Sequence, residues 1–234
     1  MGDWFLARWH FSFDTYHDPD PAYEHFGAMR VFNDNRVIPG GGGPLHSHRD
    51  VEALTYVVEG NFRHEDNIGG AAGPLPAGSV QRVTLGPGAL HAEQNASQTD
   101  PLRFIGIWIP PDSADLQPGV EQRVFTKADR TNRLLKVIAP LGEPGETVKV
   151  HQKASVYVAS LDPDVEVVHE IAPGRGAYVY LIGGAGTFGG QTVATGAAAR
   201  VTMRPSIEIR ATEPSELILV DVPLRFEPVG AWRT

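Results

Sequence analysis

Leu54-Thr55-Tyr56-Val57-Val58-Glu59-Gly60 decides the fold, because it reads as one strand closed by a glycine turn and then recurs as Tyr178-Val179-Tyr180-Leu181-Ile182-Gly183-Gly184. The agreement continues downstream. Ala77-Gly78-Ser79-Val80-Gln81-Arg82-Val83-Thr84 resembles Thr195-Gly196-Ala197-Ala198-Ala199-Arg200-Val201-Thr202, and residues 101–110 resemble 214–223. Two copies of one β unit follow. The proline-bearing, mixed-charge stretch 110–131 marks the boundary, so 1–115 is expected to be an N-terminal unit and 116–234 a C-terminal one.

Outward from that pair, strand-like runs recur at 29–32, 53–58, 80–85, 104–109, 134–138, 156–160, 177–182, 199–203 and 217–222. Turn residues separate them, as in Gly40-Gly41-Gly42-Gly43-Pro44 and Gly86-Pro87-Gly88. With Gly 26 and Pro 19 in 234 residues, the pattern predicts an all-β sandwich or barrel. The best helical fragment, 111–116, falls in the linker. A formal charge of −8 argues against a basic face for nucleic acid, so no direct nucleic-acid partner is expected. Nor is a membrane span, because no run of about 18 apolar residues occurs. A cytoplasmic location is the expectation. The absence of cysteine removes disulfides and thiolate ligands, which leaves His, Asp and Glu as the side chains able to hold a metal.

Those side chains cluster in two places. His46-Ser47-His48 and His91-Ala92-Glu93 each place two ligating groups at i, i+2, and residues two apart on a strand share a face. Neighbouring strands would then aim three imidazoles and a carboxylate at one divalent transition metal ion. Glu52, Leu54 and Tyr56 share the parity of His46 and His48. Glu52 is therefore expected to accept from a ligand imidazole, with Leu54 and Tyr56 lining the cavity. The repeat places Ile209 and Ala211 at His91 and Glu93, and Glu170 and Ala172 near His46 and His48. The second unit, with His151 and His169 as its histidines, is expected to carry no metal. His10, His17 and His25 read as solvated residues of an N-terminal arm, and His64-Glu65-Asp66 as a turn or pocket rim.

The sequence resembles the pirin family of the cupin superfamily. The likeness is carried by Phe11-Ser12-Phe13, by His46-Ser47-His48-Arg49-Asp50-Val51-Glu52, by Thr55-Tyr56-Val57-Val58-Glu59-Gly60, and by Gly78-Ser79-Val80-Gln81 through His91-Ala92-Glu93. It covers the first 110 residues well and the rest as a degenerate second cupin. Ser47, Asp50 and Val51 depart from the family's Pro, Gly and Phe, Arg82-Val83 from its Trp-Met, and Gly86-Pro87-Gly88 from its Gly-Arg-Gly. The resemblance implies a bicupin of two double-stranded β-helix (jelly-roll) domains. Its N-terminal cupin would hold one metal, commonly iron, through His46, His48, His91 and Glu93. It further implies an oxidoreductase similar to quercetin 2,3-dioxygenases, with a small-molecule substrate, dioxygen and Fe(II); Mn, Ni, Cu, Co and Zn suit the same donors. In that reading Glu93 is the catalytic base, and Tyr56, Leu54 and Arg82 are pocket contacts. The alternatives are a non-catalytic, iron-dependent redox sensor that acts through a protein partner, and a small-molecule binding module.

Overall fold

The computed structural model describes residues 4–11, 24–70 and 73–233; His17, Ser12 and Phe13 lie outside them. The first half runs through β1 (Phe5–Phe11), β2 (Val31–Val37), β3 (His46–His48), β4 (Glu52–Glu59), β5 (Asn61–Asp66), β6 (Leu75–Pro76), β7 (Ser79–Thr84), β8 (Ala89–Asn95), β9 (Leu102–Ile109) and β10 (Gly119–Val124). A one-turn helix, α1 (Lys127–Arg130), follows. The second half comprises β11 (Leu135–Pro140), β12 (Val148–Val150), β13 (Ser155–Leu161), β14 (Glu166–Glu170), β15 (Arg175–Gly183), β16 (Ala185–Phe188), β17 (Gln191–Ala194), β18 (Ala198–Val201), β19 (Ser206–Ala211) and β20 (Ser215–Pro223). Each of the nine predicted runs overlaps a strand.

Among the described residues, each half pairs a six-stranded sheet with a four-stranded one. The order β2-β9-β4-β7 of the first half reappears as β13-β20-β15-β18, and β3-β8-β5-β6 reappears as β14-β19-β16-β17. The repeat is therefore a repeat of topology. Gly60 and Gly184 turn β4 into β5 and β15 into β16 with positive φ, and a Cβ on either would collide with the carbonyl of Pro101 or Pro214 respectively. β10 hydrogen-bonds along β7, so Gly119–Val124 completes the sheet of the first half. No helix forms at 111–116. Pro110 and Pro111 donate no N–H, and Asp115 adopts φ 54°, so helix forms later, where Thr126 and Asp129 make a reciprocal cap.

The largest apolar cluster lies between the halves. Phe32, Leu54, Tyr56, Ile105, Ile107 and Ile109 of the first large sheet pack on Val156, Val158, Tyr178, Tyr180, Ile218 and Val220 of the second. Burying each such aliphatic side chain contributes about 1.5–3 kcal/mol, so this seam is a core and not a loose domain contact. Polar clamps pin it. Arg103 donates to both carboxylate oxygens of Asp34 (2.9 and 2.6 Å) and to Ile182 O, while Tyr180 OH donates to Asp34 Oδ2 at 2.6 Å. His10, expected in a solvated arm, sits on β1 against Phe32 and Tyr180 with Nδ1 2.7 Å from Tyr178 OH; burial holds its pKa down to about 4. His25 is exposed. Among the described residues no helix is long and apolar enough to cross a membrane.

Candidate metal centre

The glycine tract before His46 lies flat on β8: Gly41 O accepts from Asn95 N at 2.8 Å and Gly43 N donates to Glu93 O at 3.1 Å. A Cβ at Gly42 would stand 2.6 Å from Gln94 Cγ, so the close approach needs glycine. This contact delivers β3 in register beside β8, with His46 directly opposite His91. On the other side of β8, β5 places Asp66 opposite His91 and His64 opposite Glu93.

The three imidazoles converge. Ligating nitrogens of His46, His48 and His91 all lie within 4.8 Å of one another, and ring centroids are 4.6 to 5.3 Å apart. Glu93 joins the rim, with Oε2 3.9 Å from His46 Nε2 and Oε1 3.4 Å from His91 Nδ1. His46 Nδ1–H donates to Pro44 O at 3.1 Å, since a carbonyl can only accept; that fixes the tautomer that leaves Nε2 as a lone-pair donor toward the cluster. His91 is buried, and its Nε2 has no hydrogen-bond partner among the described residues. An orphaned imidazole nitrogen beside two others and a carboxylate is the donor set a first-row divalent metal accepts. The residues fit such an ion.

The electrostatics favour neutral donors. Burial, then His46, holds His48 down to about 4; burial, then His46, His48 and His64, holds His91 down to about 3. Burial pushes the Glu93 carboxyl above its usual range, opposed by His46. As pH falls below about 6.5, the unfolded chain protonates these two histidines while the folded metal-free chain does not. Their neutral burial therefore costs nothing above that pH and progressively destabilises the metal-free fold down toward pH 4. Urea titrations of metal-free protein should show wild type losing a few kcal/mol more over this interval than His91→Gln, which lacks one of the two groups. Equal slopes would contradict the assignment.

The other predicted site residues lie elsewhere. β3 ends at His48 and belongs to the small sheet, β4 begins at Glu52 in the large one, and Asp50 between them has φ 52°. Parity does not carry across that turn. Glu52, Leu54 and Tyr56 consequently face the second half: Glu52 accepts from Thr84 Oγ1, His151 N and His151 Nδ1, and Tyr56 OH donates to Glu216. Arg82 donates to Lys149 O across the same seam. Val51 and Trp108 line the pocket above His48, and the Trp108 ring sits 4.2 Å from that imidazole. His64 does not line the pocket, whereas Asp66 closes β5 into the turn expected after it, its Oδ1 accepting from Ile68 N at 2.8 Å and from Gly69 N at 2.7 Å. Both are buried on β5, with Nε2 3.2 Å from Oδ2 and the His64 ring 5.7 Å from His91. Their i, i+2 spacing is the signal that could have placed them beside the cluster.

The second half keeps the strands and replaces the candidate ligands, at positions shifted from those expected. Ala96 N donates to Asn61 O as Thr212 N donates to Ala185 O, which matches Glu93 to Ile209 and His91 to Ile207. His169 then stands opposite Ile207 as His46 stands opposite His91, and Ile171 follows where His48 would be. The expected positions, Ile209 and Ala211 with Glu170 and Ala172, were out of step. His91 lies eight positions after Val83, whereas Ile207 lies six after the matching Val201, so the intervening turn is shorter. His169 Nε2 is held by Asp221 at 2.8 Å, and Asp221 also accepts from Arg175 Nε at 2.6 Å. The remaining imidazole is tied into an ion-paired network among isoleucines.

Known proteins share this sequence pattern and fold. Residues 2–109 match the family model described as Pirin, and 137–222 match the model described as the quercetinase C-terminal cupin domain. Quercetin 2,3-dioxygenase of Escherichia coli K12 is 36% identical over 219 residues, 93% of this chain and 92% of that protein. A pirin-like protein of Caulobacter vibrioides is 32% identical over 93% of this chain and 92% of its own length. The crystal structure of the bacterial pirin YhhW of Escherichia coli in complex with nickel(II) superposes with a TM-score of 0.85 at 34% identity, covering 98% of this chain and 94% of that one. With both halves matched and relatives aligned along most of its length, the chain belongs to the pirin family, as an all-β bicupin.

Proposed function

We propose that the chain is a dioxygenase of flavonol-like substrates that works through one divalent metal, Fe(II) in the first instance, held by His46, His48, His91 and Glu93. The observation that carries this is the convergence of three imidazoles and a carboxylate beside a cavity of about 480 Å³, lined by His48, Val51 and Trp108. That volume is in the range for a small organic ligand. Relatives named quercetin 2,3-dioxygenase over most of the chain support the substrate class. Bound there, the metal would supply a Lewis acid and a meeting place for substrate oxygen and dioxygen.

The chain's own residues do the rest. Pro44 O locks the His46 tautomer, and Trp108 packs edge-on against His48. Glu93, with its carboxyl pushed up by burial, takes the proton from an enol or phenol hydroxyl at Oε1 or Oε2. Glu93→Gln should lower kcat by about a hundredfold or more while substrate binding changes little. An equal loss in both would remove Glu93 from the role of base. Oxygen-electrode traces with separate Fe, Mn, Ni, Cu, Co and Zn forms and a panel of flavonols test the whole reading. Uptake that requires both metal and flavonol is the expected outcome, and flat traces throughout would overturn it.

A further inference from the structure

Beyond β20 the chain doubles back to the metal pocket of the first half. Phe226 stacks under the Arg30 guanidinium (5.2 Å), Val229 is buried, and a short turn, Gly230–Trp232, ends against Asp50. Asp50 is almost fully buried, two positions after His48. Its Oδ2 accepts from Ala231 N at 2.9 Å, its carbonyl from Trp232 Nε1 at 2.6 Å, and its Oδ1 from Asp115 N at 3.1 Å. Any Cβ on Gly230 would run into the Asp50 carboxylate, so the tail is shaped to this seat. A charge-assisted bond to a buried carboxylate, reached across 181 positions of chain, is a specific anchor and not a trailing end.

The anchored turn delivers Trp232 to the cavity. It packs against the cluster of Val51, Ala53, Val83, Leu85 and Ala89, as Trp108 does, and its ring lies 5.6 Å beneath the Arg30 guanidinium. Arg30 borders the same cavity, and its Nε is buried with no hydrogen-bond partner among the described residues. Glu24 and Arg49 are the other charged groups at the mouth. A guanidinium stays charged when buried, and its planar edge suits an anionic oxygen, while two indoles suit a flat ring.

We propose that the C-terminal strap is the specificity wall of the metal pocket: Asp50 pins it, Trp232 supplies an aromatic surface beside Trp108, and Arg30 selects planar aromatic substrates that carry an anionic oxygen. This rests on the dioxygenase reading and names the substrate class of that site. The test is anaerobic titration calorimetry on metal-loaded protein with a flavonol, 2-naphthoate and neutral 2-naphthamide, alongside elemental analysis. Trp232→Ala should weaken the flavonol and naphthoate by about tenfold or more with metal content unchanged, and Trp232→Phe should restore most of the affinity. Arg30→Gln should erase the preference for naphthoate over naphthamide. Unchanged affinities in folded variants would overturn the strap and leave the dioxygenase reading standing. Strap-dependent naphthoate binding without flavonol binding would support the strap and remove the flavonol. No binding by any of the three would overturn the strap.

Discussion

His91→Ala should reduce metal content close to zero and abolish flavonol turnover, while the protein still unfolds cooperatively. His91 is the middle of the row, opposite His46 on one side and Asp66 on the other, with its ring 4.6 and 5.3 Å from the other two imidazoles. Its loss leaves two imidazoles, both partly exposed, with a carboxylate whose nearer nitrogen neighbour has gone. Disturbing residues that merely support a metal ligand costs about 10–100-fold in affinity, so deleting the central ligand should exceed a hundredfold. His10→Ala is the control, since His10 packs at the seam between the halves. Elemental analysis of both variants decides the matter, and full occupancy in His91→Ala would place the metal elsewhere.

Glu52→Ala should have the opposite profile: metal retained, stability lost. Glu52 is fully buried and is the point where the halves meet, accepting from Thr84 Oγ1 at 2.8 Å, His151 N at 2.7 Å and His151 Nδ1 at 2.9 Å, with Arg82 Nε at 3.8 Å. Removing one partner from a buried charged network strands the others, at about 3–5 kcal/mol. The pH dependence follows from the Glu52 hydrogen bond, which raises the His151 pKa above 6.5. A raised histidine contributes its full stabilisation below the unfolded value and loses it as pH rises through the folded one. The gap between wild type and Glu52→Ala should therefore narrow as pH rises above about 6.5. Urea unfolding across that range measures it, and a variant that lost metal but kept its stability would restore Glu52 to the site.

The strands and the three imidazoles were legible because a period of two is a local property. His46, His48 and His91 sit where i, i+2 spacing puts them, and the repeat around Leu54 and Tyr178 matches strands of the same place in each half. Parity failed at Asp50, whose left-handed backbone passes the chain from one sheet to another. That single turn sends Glu52, Leu54 and Tyr56 into the seam and Val51 toward the metal pocket. The match of His91 to Ile207 depended on a turn two positions shorter, which no apolar pattern records. Trp232 was beyond reach for another reason: its partner, Asp50, is 182 positions away, and nothing local announces the pairing.

Mass analysis of the product formed under ¹⁸O₂ tests the central claim most directly. Fe(II)-loaded protein supplied with a flavonol should place both atoms of labelled oxygen in the products, in step with flavonol consumed, and His91→Ala should form none. Label drawn from water, a single labelled oxygen, or product formed equally by His91→Ala would contradict a dioxygenase built on this metal centre.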